Sequence, residues 1–185
     1  MKRIKKGMNP KLIAKIVRTK FASTTRIRAR RQIVNEAGLT LKSVEAAGAE
    51  AAKPVKVPSM LGVDEDMRDW SLLMILEHNA LANAAITRTM KSLGEGEVFE
   101  STVNPKTDFM PGVDPGREQV ALFEASVESH LQALDALGNL RKTESLKHPV
   151  FGELNAHGWN CVFGFHLMLH RKQAEVIVRI LKQGE

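Results

Sequence analysis

The stretch from Asn155 to Leu181 constrains the fold most. Trp159, Val162, Phe163, His166, Leu169, His170, Gln173, Ile177, Ile180 and Leu181 recur at helical spacing and fall on one face. That face points into a core, and His166 and His170 sit on it one turn apart. Two imidazoles at i and i+4 can bind one metal ion. The residue after His166 is Leu167 rather than Glu, so the pair is not the His-Glu-x-x-His of a zinc protease. Taken alone, the pair reads equally as two core histidines bonded to polar neighbours.

Two further features favour the metal. His78 lies in a second helical pattern, where Ser71, Met74, Leu81, Ala82 and Ala85 share its face. A third imidazole then points inward from another helix. Three neutral histidines leave at least one coordination position open, as in catalytic rather than structural metal sites. The second feature is the run ahead of the last helix, His148-Pro149-Val150-Phe151-Gly152-Glu153-Leu154, followed by Trp159, His166, His170 and Gln173.

This run resembles a DinB-like (YfiT-like) branch of unknown function: His-Pro-x-Phe-Gly-x-Leu, a Trp, then His-x-x-x-His with a Gln three residues later. Trp70-Ser71, followed by Leu76-Glu77-His78, is similar to the second helix of that family, and Gly94-Glu95 fits its end. The resemblance spans roughly residues 39–181. It implies an all-α four-helix bundle in up-down-down-up order, with a three-histidine site for zinc, nickel or iron. Carried over residue by residue, the ligands are His78, His166 and His170. Many relatives place a further histidine just before the last one; here that position is Leu169.

At 185 residues, 43% hydrophobic, the chain suits one domain over 1–185. The one cysteine, Cys161, excludes an intrachain disulfide and favours a reducing, cytoplasmic setting. Cys161 falls on the far side of its helix from the histidines and reads as a small hydrophobe. No apolar run approaches the roughly 18 residues needed to span a bilayer, and no signal-peptide core is visible at the N-terminus.

Charge is uneven. Residues 1–31 hold 12 Lys and Arg and no Asp or Glu, and the remaining 154 hold 15 basic and 21 acidic residues. This strongly basic segment could contact nucleic acid, an anionic membrane surface or an acidic partner. The simpler reading is a solvated helix face that snorkels its cations. Its Arg-rich, acid-free composition is also that of a transit peptide, but the same residues read as part of the fold.

In chain order, Asn9-Pro10 starts a helix, which runs through Ile27 and Val34 to about Ala37, where Gly38 stops it. Residues 39–52 form a short helix. Pro54 and Pro58 force residues 53–58 to be extended, within a connection over 53–63 that lies over the bundle. The second long helix starts near 64–66, where Asp64, Glu65 and Asp66 suit the positive end of a helix dipole, and ends at Gly94. Residues 94–113 show no period and read as a long loop. Extended, they reach about 66 Å, against about 42 Å for the preceding helix, so the loop can cross over and set the third helix parallel to the second. It could also cover one mouth of the pocket. Asp114-Pro115 starts the third helix, which ends near Gly138.

Among the other histidines, His130 reads as a core-edge residue, with a fourth ligand or proton carrier as the alternative. His157 is expected to be exposed, and His148 to fix its loop or reach the mouth of the site. The Glu-x-x-His pairs of a di-iron bundle are absent, as are phosphate-cradling loops and the aromatics of an RNA-binding sheet.

A cation held by three imidazoles would lower the pKa of water or of a thiol. Relatives in the resembled family look like transferases and isomerases that use low-molecular-weight thiols, with some hydrolases, and they are often dimers. No carboxylate stands beside the histidines as a general base, so thiol transfer to a small-molecule substrate is favoured over hydrolysis. An apolar side on the first helix allows a homodimer. The alternative is a non-enzymatic bundle that binds an acidic partner through its basic N-terminal segment.

Overall fold

The computed structural model describes residues 9–97 and 107–184. Helix α1 (Pro10–Ser23) starts as expected, with the Asn9 side chain accepting the Lys11 N–H at 2.9 Å. The expected single helix to Ala37 breaks at Thr24 and Thr25, both extended, because the Thr25 hydroxyl caps a new helix by accepting the Arg28 N–H. That helix, α2 (Arg26–Ala47), runs straight through Gly38. Its buried residues Ile33, Ala37, Thr40 and Val44 hold one face in the core, and tertiary packing overrides the weak helix propensity of one glycine. The separate helix expected over 39–52 is therefore the end of α2, followed by a 3-10 turn at Gly48–Ala52.

The 53–63 connection runs without a helix, with Val55 and Val57 buried, and turns at Leu61-Gly62 between the bridged Met60 and Val63. Their N–H groups donate to the carbonyls of Trp70 and Arg68. This pairing delays the next helix. Glu65–Met67 forms only a 3-10 turn, and α3 (Leu72–Glu95) begins where the Ser71 hydroxyl accepts the Met74 N–H. It ends at Glu95, one residue beyond the expected Gly94, and is capped by Gly96, whose φ of 79° suits a residue without Cβ.

The expected long loop falls partly on 98–106, outside the described residues. Helix α4 (Glu118–Ala136) starts later than Asp114-Pro115 suggests, because the Glu118 carboxylate turns back to accept the Gly116 N–H.

The chain is mostly helical, as the all-α expectation has it, with one short antiparallel hairpin among the described residues, β1 (Ser145–His148) and β2 (Gly152–Asn155), in which His148 lies opposite Gly152 and Ser145 opposite Asn155. His148 closes its turn, as Nδ1 accepts the N–H groups of Val150 and Phe151. The Asn155 side chain then caps α5 (Ala156–Gln183).

Helix α5 is the axis of the molecule. Every residue from Ala156 to Gly164 is buried, so its first half has no solvent face. It packs along α2 and α3, and α4 packs along α3 and touches α2. The Arg171–Glu36 ion pair, 2.6 Å and mostly buried, ties α5 to α2. Phe21, Phe151 and Phe165 meet edge to face and lock α1, the hairpin turn and α5 together. Part of the basic segment is used internally. Arg26 donates to the carbonyls of Leu134, Leu137 and Gly138 at the end of α4, a negative dipole end, and Arg30 pairs with Asp135. Residues 1–8 of that segment lie outside the described residues. No helix among the described residues is long and apolar enough to cross a membrane.

Candidate metal centre

The three predicted ligands come together. Leu72, Leu73, Ile75 and Leu76 bury the start of α3 and turn His78 toward α5. From α5, His166 and His170 face it. One ring nitrogen from each of the three lies within 4.8 Å of the others, and His78 Nε2 stands 3.2 Å from His166 Nε2. His78 and His170 are buried, and His166 is partly open toward a cavity.

Hydrogen bonds decide which atoms the rings present. A carbonyl can only accept, so the 2.7 Å contact of His78 Nδ1 with the Phe109 carbonyl fixes the proton on Nδ1 and leaves Nε2 as a lone pair. At His170 the fixing is indirect. The Gln173 amide donates to the Met67 carbonyl at 2.6 Å, so its Oε1 must be the acceptor for His170 Nδ1–H at 3.0 Å. His170 therefore also presents Nε2. Such outer hydrogen bonds orient metal-ligating imidazoles. Trp70, buried beneath the rings, stacks on His170 at 6.2 Å and lies 4.9 Å from His78.

His166 supplies the test of fit. Its buried Nδ1 has no hydrogen-bond partner. Either His166 gives an Nε2–H to His78 and leaves Nδ1 as an unused acceptor, or it carries its proton on the unpartnered Nδ1 and both Nε2 lone pairs converge on a cation. Two nitrogens bound at about 2.0–2.1 Å to one tetrahedral ion lie about 3.3 Å apart, and the separation here is 3.2 Å. The donor set fits a divalent cation with an open position.

Burial also keeps the rings neutral. It lowers the pKa of His78, against a smaller upward pull from the Phe109 carbonyl. His170 is pushed down to about 3, by burial first and by His78 second. His166 is lowered well below the ordinary value by burial, with His170, His78 and His148 adding to it. Protons therefore compete weakly with a metal near neutral pH.

The triad opens into a cavity of about 350 Å³. Ala82, Ala85, Ile86, Val162 and Pro149 make its apolar wall, and Arg88 and Lys147 are its charged lining residues. Phe109 also lines it, and its carbonyl bonds His78, so the described end of the long loop reaches the cavity beside the triad.

The remaining histidines divide. His148 both closes the hairpin turn and lines the cavity; burial lowers its pKa to about 4. His130 is fully buried rather than at the core edge. Both its nitrogens are engaged, by Thr87 at 2.8 Å and Asn160 at 3.1 Å, and its ring stacks on Phe163. It is not part of the triad. His157, expected to be exposed, is buried, because its Nε2 bonds the Thr24 carbonyl at 2.8 Å where α1 breaks from α2. Cys161 is buried away from the triad, and burial raises its thiol to about 12.

Compared with protein-family models, curated proteins and solved structures, the chain matches none.

Proposed function

We propose that this chain is a metal-dependent bundle of the DinB-like kind, in which His78, His166 and His170 hold one divalent cation, zinc, nickel or iron, at the base of a small-molecule pocket. Its activity is thiol-dependent S-transfer, with hydrolysis the related possibility. The observation that carries the reading is the convergence of three neutral imidazoles from two helices, two of them oriented by Phe109 and Gln173. Such an ion supplies Lewis acidity and lowers the pKa of a thiol or water at its open position.

The chain's own residues perform the rest. Trp70, Ala82 and Val162 keep the neighbourhood of the rings apolar and poor in water. His148, held neutral, lines the cavity with Nδ1 committed as the acceptor of the hairpin turn, so its Nε2 carries the ring proton and is a hydrogen-bond donor. No Asp or Glu is among the described lining residues. A strong general base is thus missing, which favours transfer of an already ionised thiol over activation of water.

The proposed bundle order is up-down-down-up. Asn83–Ser126 and Thr87–His130 advance together along α3 and α4, which supports a parallel pair. His78–His166 and the Thr87–His130–Asn160 chain run in opposite senses along α3 and α5. Gln32–Gly164 and Glu36–Arg171 advance together along α2 and α5.

Elemental analysis of the purified protein beside a His78→Ala/His166→Ala/His170→Ala variant tests the reading. About one equivalent of metal in the parent and none in the folded variant is expected for a three-histidine site. A parent that takes up no zinc, nickel or iron would remove it.

A further inference from the structure

The cavity carries a second set of groups at the end away from the triad. Arg88 lies ten residues beyond His78 on α3, about 15 Å along the helix, and Trp159 lies seven residues before His166 on α5, about 10 Å. Lys147 comes from β1, beside the start of α5. All three residues line the same cavity as the histidines.

Among the described residues, none of these three side chains has a hydrogen-bond or ion-pair partner; Arg88 and Lys147 are exposed at the cavity rim, and Trp159 is buried. Trp159 is 8% exposed, and its Nε1–H is buried without an acceptor. Leaving such a donor unpaired is costly, so an unused indole N–H on a residue that lines the cavity points to an acceptor brought from outside. Among the described residues, neither Arg88 nor Lys147 has an ion-pair partner. Glu153 stands opposite Lys147 in the hairpin without pairing to it. With no carboxylate among the described lining residues, the low-dielectric wall of Ala85, Ile86 and Val162 focuses the positive potential of the two cations into the cavity.

From this we infer that the pocket takes an elongated organic anion. Its carboxylate, or an equivalent oxyanion, sits between Trp159 Nε1–H, Arg88 and Lys147. Its apolar body lies along Ala82, Ile86 and Val162, and its far end points to the histidines. The inference rests on the reading of this cavity as the substrate pocket and specifies the charge and length of what enters it.

The probes are sodium octanoate and octan-1-ol, titrated calorimetrically into chelator-treated protein, so that the metal site plays no part. Octanoate is expected to bind at least tenfold more tightly than octanol. Arg88→Gln/Lys147→Gln and Trp159→Phe are each expected to remove most of that difference while leaving octanol binding in place, which also reports an intact cavity. Equal binding of the two probes, an unchanged preference in both variants, or no octanoate binding at millimolar concentration would overturn the inference. Metal content measured on the same parent keeps the two ideas apart: octanoate selectivity without metal uptake removes the triad reading alone, and metal uptake without selectivity removes the anion subsite alone.

Discussion

Gln173 Oε1 accepts the Nδ1–H of His170 at 3.0 Å, and this contact sets which nitrogen His170 turns to the triad. Gln173 is itself fixed by the Met67 carbonyl, so a residue that touches no ligand position controls one. Gln173→Leu should lower metal affinity about 10–100-fold, the usual effect of losing such an outer partner. Competition against a chromophoric chelator measures this, and near-wild-type affinity would show that His170 needs no orienting partner.

A bound cation should also stabilise the fold, since its ligands come from α3 and α5 and are brought together only in the native state. At a free metal concentration 100 times Kd the gain is about 2.7 kcal/mol. Thermal unfolding with zinc, nickel or iron and then with excess chelator should show a reversible rise in Tm. The His166→Ala variant should show none.

Much of this site was legible in the sequence, and the reason is periodicity. His166 and His170 fall on one helical face, and His78 falls on the inner face of a second long helix; burial follows from that spacing alone. The supporting shell was not legible. Phe109 contributes a backbone carbonyl, which carries no side-chain signature, and Met67 does the same for Gln173. The hairpin leaves little trace in the sequence because four-residue strands with charged and polar members show no clear alternation. Two helix starts depend on hydroxyls that compete with stronger-looking signals. Thr25 and Ser71 accept backbone N–H groups and start α2 and α3, while Asp64 heads only a 3-10 turn and Asp114 lies ahead of α4. The burial of His157 carries no sequence signal, because its partner, the Thr24 carbonyl, is exposed to it only where α1 breaks from α2.

The Thr25 cap is open to a direct test. Thr25→Ala removes the acceptor for the Arg28 N–H and should cost about 1 kcal/mol. Urea denaturation should show a lower midpoint with an unchanged slope. Unaltered stability would mean that the α1–α2 break is held by His157 and Arg141, which bond the Thr24 carbonyl from the other side.

Acid sensitivity should trace in part to His130. Burial lowers its pKa from 6.5 to about 4 in the folded state, with the Asn160 hydrogen bond opposing weakly. The unfolded chain then binds a proton near pH 6.5 that the folded chain refuses until about 4, so stability is full above the unfolded value and falls as pH drops through this window. A gap of this size corresponds to about 3 kcal/mol at its limit. The metal-free protein should be compared with a His130→Gln variant by urea unfolding between pH 7.5 and 4. The parent is expected to lose more stability over that range than the variant. The remaining slope in the variant belongs to the other buried histidines, His148 among them, whose pKa is lowered to about 4 by burial as well. Equal slopes in the two proteins would mean that the Thr87–His130–Asn160 cluster opens to water before it takes up its proton.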